Sequence, residues 1–169
     1  MPLVRRDWLG AGAALLCGLA LPRPASADAT LYRRGNDADP ETLDPHRSST
    51  VAEAHILRDL FEGLLTYDNA GALIPGAAER WSVSDDRLTY TFPLRPDGRW
   101  SNGDPVVAGD FVFGLRRILD PKTAAKYAEV LSPIRNAGAV NRGEAPLDAL
   151  GVAAPDPATL VVTLSEPVP

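Results

Sequence analysis

The sequence predicts an α/β fold, because apolar residues recur at helical spacing in two separate stretches and a run with strand character lies between them. Ile56, Leu57, Leu60, Phe61 and Leu64 form the first stripe; Phe111, Leu115, Ile118 and Leu119 form the second. Between them, Leu64–Tyr67 and Leu88–Leu94 are rich in strand-forming residues, with turn signals at Asn69–Gly71 and Asp85-Asp86.

The N-terminus is set apart from this pattern. Arg5 and Arg6 precede an apolar run from Leu9 to Leu21 that ends near Ala25-Ser26-Ala27, the layout of a secretory leader over residues 1–27 cleaved after Ala27. At about 13 residues the run is short for a bilayer span, so no membrane insertion is expected. Arg5-Arg6-Asp7-Trp8-Leu9 also resembles a twin-arginine export motif that lacks the downstream lysine, with general export as the alternative. Cys17 reads as a small hydrophobe within the run, since Ala14-Leu15-Leu16 lacks the small residue that lipid attachment wants just upstream. Loss of residues 1–27 therefore leaves a chain without thiols, disulfides or cysteine metal ligands. It also removes Arg5, Arg6, Arg23 and Asp7 from the 17 basic and 22 acidic residues, leaving 14 and 21 and a net charge of −7. Such a balance disfavours nucleic acid and anionic lipid as partners, because no basic stripe is present to neutralise phosphates.

Along the remaining chain, Thr30–Arg34 predicts a short strand, and Asn36–Pro45 a polar, acidic, proline-bearing loop. Thr50 and Glu53 have the spacing of a capping box, so a helix should start there, with its apolar stripe on a sheet. Glu53, Arg58, Asp59 and Glu62 would face outward, and Gly63 is placed to end the helix. In the β-rich part, Pro93 cannot donate to a ladder, so its strand should lie at an edge or turn that position away from its neighbour. Val106–Leu119 predicts an amphipathic helix whose Arg116 and Arg117 suit the C-terminal dipole and which Pro121 stops. A short helix over Ala124–Leu131 follows, then a loosely patterned stretch Pro133–Pro157, then a β-branched strand Thr159–Leu164.

The motifs for chemistry are sparse. Asp37, Asp39, Glu41 and Asp44 lack the glycine and terminal glutamate of a calcium loop and read as a solvated acidic loop. His46 and His55, nine residues apart, do not share a helix face at ligand spacing, so zinc is not expected, and His46 reads as hydrogen-bonded in its loop. Neither a G-x-S-x-G elbow nor a phosphate-cradling glycine loop occurs, and no pair among the carboxylates stands out for acid–base work. No catalytic residue, cofactor or metal is expected. Trp81, Trp100, Tyr67, Tyr90 and Tyr127 could stack on sugar rings, but aromatics in strands more often pack a core.

Two long stretches carry a resemblance. "ETLDPHRSSTVAEAHILRDLFEGLLTYDNAGALIPGAAERW" and "LTYTFPLRPDGRWSNGDPVVAGDFVFGLRRILDPKTAAKYAEVL" resemble the extracytoplasmic solute-binding proteins that deliver oligopeptides to ABC importers, and the likeness runs from about Leu31 to Pro169. The resemblance implies a periplasmic-binding-protein-like fold, with mixed sheet lobes and flanking helices that close like a hinged clamp. It implies that residues 28–61 start the first lobe and that 62–169 form an incomplete small second lobe. Members of the family are several times longer, so the chain is expected to be truncated and to bind peptide weakly or not at all by itself. The ligand would lie extended and pair its backbone with Ser49, Thr50 and Val51, and Tyr127 matches a tyrosine that touches ligand in the family. Thr50 can also cap the helix, since capping uses its side chain. Ser49-Thr50 stands where relatives carry an acidic residue and a glycine, so the peptide preference need not be shared. In the same comparison, Trp100 packs back against the small sheet and Asn102-Gly103-Asp104-Pro105 turns the chain into the following helix, a structural marker and not a site. The partners implied are an oligopeptide or related small solute and the importer's permease subunits, with the protein a periplasmic monomer. A secreted peptide hydrolase or a periplasmic sensor, with its active part further along, remains the alternative.

Overall fold

The computed structural model describes residues 33–168. The predicted leader, Cys17 and all but the last two residues of the strand predicted at Thr30–Arg34 lie outside that range. Residues 33–35 are exposed and irregular, and the elements below belong to the unit that begins at Asn36.

Helix α1 spans Val51–Leu60 and begins as predicted, with the Thr50 hydroxyl accepting from the Glu53 N–H and the Glu53 carboxylate reaching back to the Thr50 N–H. It ends earlier than Gly63, because Phe61 turns extended after its N–H closes the last bond to the Leu57 carbonyl. Of its stripe only Leu57 is buried, while Leu60 is 61% and Phe61 47% exposed. No residue of α1 belongs to either apolar cluster; of the predicted stripe only Leu64, beyond the helix end, packs against one, that of Ala78, Phe92, Leu94, Ala108 and Leu160.

A two-stranded ribbon follows, β1 Leu65–Tyr67 with β2 Leu73–Pro75, closed by Gly71 at φ +81. The main sheet has the order β3 (Ser82–Val83), β4 (Thr89–Pro93), β6 (Thr159–Thr163), β5 (Val152–Asp156), and all its neighbours are antiparallel. Phe92 on β4, Leu160 on β6 and Leu164 just beyond are buried; 160 and 164 are four residues apart, an even spacing that puts both on one sheet face. Strand β4 is interior, not an edge. Pro93 is tolerated because its carbonyl points away from β6 to accept the Glu79 N–H, and the nitrogen of an extended residue shares that flank.

Helix α2, Ala108–Leu119, lies over the sheet and joins the two clusters. Its start buries Ala108 with Ala78, Phe92, Leu94 and Leu160; its end buries Leu119 with Ile134, Val140, Leu150, Val152 and Leu164. Of the helix predicted over Ala124–Leu131 only Ala128–Leu131 is helical, as a single 3-10 turn; Ala124, at φ +53, ends a preceding 3-10 turn at Pro121–Thr123. The unpatterned stretch Pro133–Pro157 contains a short helix, α3 (Ala137–Asn141), a 3-10 turn at Leu147–Ala149 and all of β5.

Between β4 and α2, Gly103 at φ +92 makes the turn in which the Asn102 side chain bonds Asp104 on both its N–H and its carboxylate. Trp100 does not fill a junction with the sheet. It is 44% exposed, and its Nε1 donates to Asp110 Oδ2 at 2.9 Å, the same oxygen that accepts the Val107 N–H at the helix start. The aromatics as a group pack less than expected: Tyr67 is 72%, Tyr127 55% and Trp81 36% exposed, whereas Tyr90 stacks on Phe92 with centroids 6.5 Å apart.

Candidate functional site

The loop before α1 is organised by one carboxylate. Glu53, predicted to face outward, is 1% exposed. Its Oε1 accepts the N–H groups of Glu41 and Thr42 at 3.2 and 3.3 Å, and its Oε2 those of Ser49 and Thr50 at 2.7 and 3.0 Å. Buried backbone donors need partners, and the loop 41–50 obtains four of them from this one side chain. The bonds from Ser49 and then Thr50 lower the Glu53 carboxyl to about 2, because they favour its charged form against the cost of burial.

The same loop is tied to α2 by a second group. Asp44, expected in a solvated loop, accepts Nη1 and Nη2 of Arg117 at 2.8 and 2.6 Å, a two-pronged pair. That bond holds the Asp44 carboxyl well below the usual carboxylate range. Arg117 Nη1 also lies 2.9 Å from Nδ1 of His46. A guanidinium can only donate, so Nδ1 must accept and the ring proton sits on Nε2. Desolvation, then the charge of Arg117, push the His46 pKa down, against a smaller opposing pull from Asp44.

These constraints decide which backbone groups of Ser49, Thr50 and Val51 remain open. The N–H groups of Ser49 and Thr50 are taken by Glu53, and the Thr50 carbonyl accepts the Ala54 N–H of the helix. The Val51 N–H, in the first turn of α1, has no partner among the described residues. Among the described residues the Ser49 carbonyl receives only the Tyr127 hydroxyl, at a long 3.4 Å. A carbonyl and an N–H flanking one residue are what a parallel strand presents to a single residue of its neighbour. Val51 is 66% exposed, which leaves that side approachable. Tyr127 is brought beside Ser49 by the left-handed Ala124, which reverses the chain after Pro121–Thr123, and its neighbour Lys126 donates from Nζ to Ser49 Oγ at 2.8 Å. Sequence reasoning passed over Lys126, the pairing of Asp44 with Arg117 and the buried role of Glu53. The only signal for Lys126 was its place next to Tyr127.

A cavity of about 540 Å³ lies elsewhere, walled by Leu60, Phe61, Leu94, Arg95, Trp100 and Phe111, and a groove of about 340 Å³ by Tyr90, Phe92, Leu115, Ile134 and Val162. Neither includes Ser49, Thr50, Val51 or Tyr127. An open strand edge offers hydrogen bonds along a line and needs no enclosed volume.

Residues 72–169 match the family described as bacterial extracellular solute-binding proteins, family 5 Middle. The periplasmic oligopeptide-binding protein OppA of Haemophilus influenzae is 43% identical over 169 residues, covering 92% of this chain and 31% of its own length. OppA of Escherichia coli is 44% identical over 177 residues, covering 99% of this chain and 32% of its own length. Among solved structures, Haemophilus influenzae OppA in complex with RPPGFSPFR superposes with a TM-score of 0.76 at 48% identity, over 78% of this chain and 26% of that one. The Escherichia coli murein tripeptide binding protein MppA gives a TM-score of 0.74 at 42% identity, over 77% of this chain and 26% of that one. The chain spans about a third of the length of the curated relatives it matches. No helix among the described residues is long and apolar enough to cross a membrane. With more than half its length inside the family match and its helices and antiparallel sheet superposing on solved oligopeptide-binding proteins, the chain belongs to the bacterial extracellular solute-binding proteins of family 5.

Proposed function

We propose that this chain is part of a periplasmic solute-binding subunit of an ABC importer, which takes up oligopeptides in extended form and hands them to membrane permease subunits without chemistry. In this reading residues 1–27 are an export leader, residues 28–61 belong to the first lobe, and residues 62–169 belong to the small second lobe. The mature protein acts as a monomer. The supporting observation is the open pair formed by the Ser49 carbonyl and the Val51 N–H, with Tyr127 alongside. One peptide residue opposite Thr50 would donate to the first and accept from the second, which demands an extended backbone but no particular side chain.

The test uses the protein as its gene encodes it. Alanine tri- to pentapeptides are titrated by calorimetry, next to versions N-methylated at one amide at a time. Micromolar binding that collapses when one specific amide is methylated supports the reading, as does recovery of the peptides uncleaved. Affinity indifferent to methylation at every position, or hydrolysis of the peptides, overturns it.

A further inference from the structure

We infer that Lys126 is a specificity-determining residue, which selects peptides carrying a carboxylate side chain at the position that faces Ser49. The inference rests on the peptide-clamp reading above and adds the chemical class of ligand.

Lys126 is exposed, and its ammonium donates to the neutral hydroxyl of Ser49 at 2.8 Å. An ammonium has three N–H donors, and this contact uses one. The arginines in ion pairs behave differently: Arg80, Arg95, Arg117 and Arg142 each meet a carboxylate within 4.0 Å, whereas no acid pairs with Lys126 among the described residues. Most basic side chains of the chain are likewise without an ion pair among the described residues; Lys126 differs in standing beside an open stretch of backbone, where its charge is available to a ligand.

Two features fix where that charge sits. The backbone reversal at Ala124, φ +53, directs residues 125–127 back to the loop before α1. The Tyr127 hydroxyl then bonds the Ser49 carbonyl, so Lys126 and Tyr127 hold the side chain and the main chain of one residue. Ser49 is itself held by Glu53 through its N–H, so the ammonium is anchored to a rigid point.

The register follows from the backbone. If one peptide residue bonds the Ser49 carbonyl and the Val51 N–H, it stands opposite Thr50, and in parallel pairing its predecessor stands opposite Ser49. Residues opposite one another project to the same face of a sheet, roughly 5 Å apart, so the predecessor's side chain reaches the two unused donors of Lys126. A glutamate or aspartate there gains an ion pair. An alanine loses nothing, and a lysine meets like charge.

The experiment compares an alanine tetrapeptide with versions carrying a single Glu or Lys at each position, on the wild-type protein and on Lys126→Gln, Lys126→Glu and Lys126→Arg. The expected result is one position where Glu binds about fivefold more tightly than Ala, the upper range for an exposed ion pair. That gain should vanish in Lys126→Gln, persist in Lys126→Arg and give way to a preference for Lys in Lys126→Glu. The alanine peptide itself should bind Lys126→Gln within about twofold of wild type, because glutamine can still donate to Ser49. No Glu preference at any position, a preference that survives in Lys126→Gln, or an equal loss for every peptide overturns the inference while leaving the clamp standing. Failure of the alanine peptide to bind the wild-type protein overturns both.

Discussion

Gly151 sits where three backbone segments meet, and adding one methyl group there should unfold a large part of the protein's stability margin. Its N–H donates to the Arg135 carbonyl at 2.9 Å, the Arg135 N–H donates to Thr163 at 2.9 Å, and the Thr163 N–H returns to the Gly151 carbonyl at 2.7 Å. A Cβ on residue 151 would stand 2.6 Å from the Thr163 oxygen and 2.8 Å from Arg135 Cβ, and two of the three nearest atoms are backbone. Restoring an ordinary separation means moving that oxygen by about 0.8 Å, enough to forfeit much of the ring of hydrogen bonds. Two weakened bonds at about 1 kcal/mol each, with an overpacking cost of about 1 kcal/mol, give a loss near 3 kcal/mol for Gly151→Ala. With a urea slope of about 1.5 kcal/mol/M, the unfolding midpoint should fall by about 2 M. Gly114→Ala is the matched control. It lies inside α2, where a Cβ would meet only the His46 ring at 4.0 Å, so better helix propensity should stabilise by about 0.5–1 kcal/mol. If Gly151→Ala unfolds at the wild-type midpoint, or if both alanines shift it in the same direction by the same amount, the argument from close approach is wrong.

Glu53 makes stability depend on acid. Its folded pKa of about 2 lies below the ordinary 4.5, so its contribution is complete above pH 4.5 and disappears as pH falls toward 2. Urea midpoints at pH 6 and pH 3 should therefore converge between wild type and Glu53→Gln as pH falls, and parallel curves would contradict this. For the second tie, Arg117→Ala removes a cation from His46 and should raise its imidazole titration midpoint, measured by NMR, without restoring it fully, since desolvation is the larger cause of the depression. The amide protons of Arg47 and Ser48, which bond the Asp44 carbonyl, should exchange faster in the same variant as the loop is freed from α2.

What could be read from the sequence was local. Thr50 and Glu53 announce a helix start because a capping box spans three residues, and the stripe of α2 announces its core face because the period repeats over three turns. The burial of Glu53 was not legible, since its extra partners Glu41 and Thr42 precede it by more than ten residues and a helical wheel counts any carboxylate as outward. Asp44 and Arg117 are 73 residues apart, and nothing local marks them as partners. Pro133–Pro157 was opaque for another reason: its single 3-10 turn and five-residue helix are too short to establish a period and are held by junctions such as that at Gly151. Ser49, Thr50, Val51 and Tyr127 came to notice as peptide contacts only through the resemblance. Periodicity places Tyr127 in a helix, and the left-handed Ala124 that points it at Ser49 has no sequence signal, because alanine is a residue that φ > 0 ordinarily excludes.

The four amides gathered by Glu53 make loop and helix a single body. Whatever tilts α1 must carry the Ser49 carbonyl and the Val51 amide with it, in fixed mutual orientation. In the proposed clamp, a cargo strand would meet an edge whose disorder was already surrendered when the chain folded, so little entropy would be lost at the moment of capture.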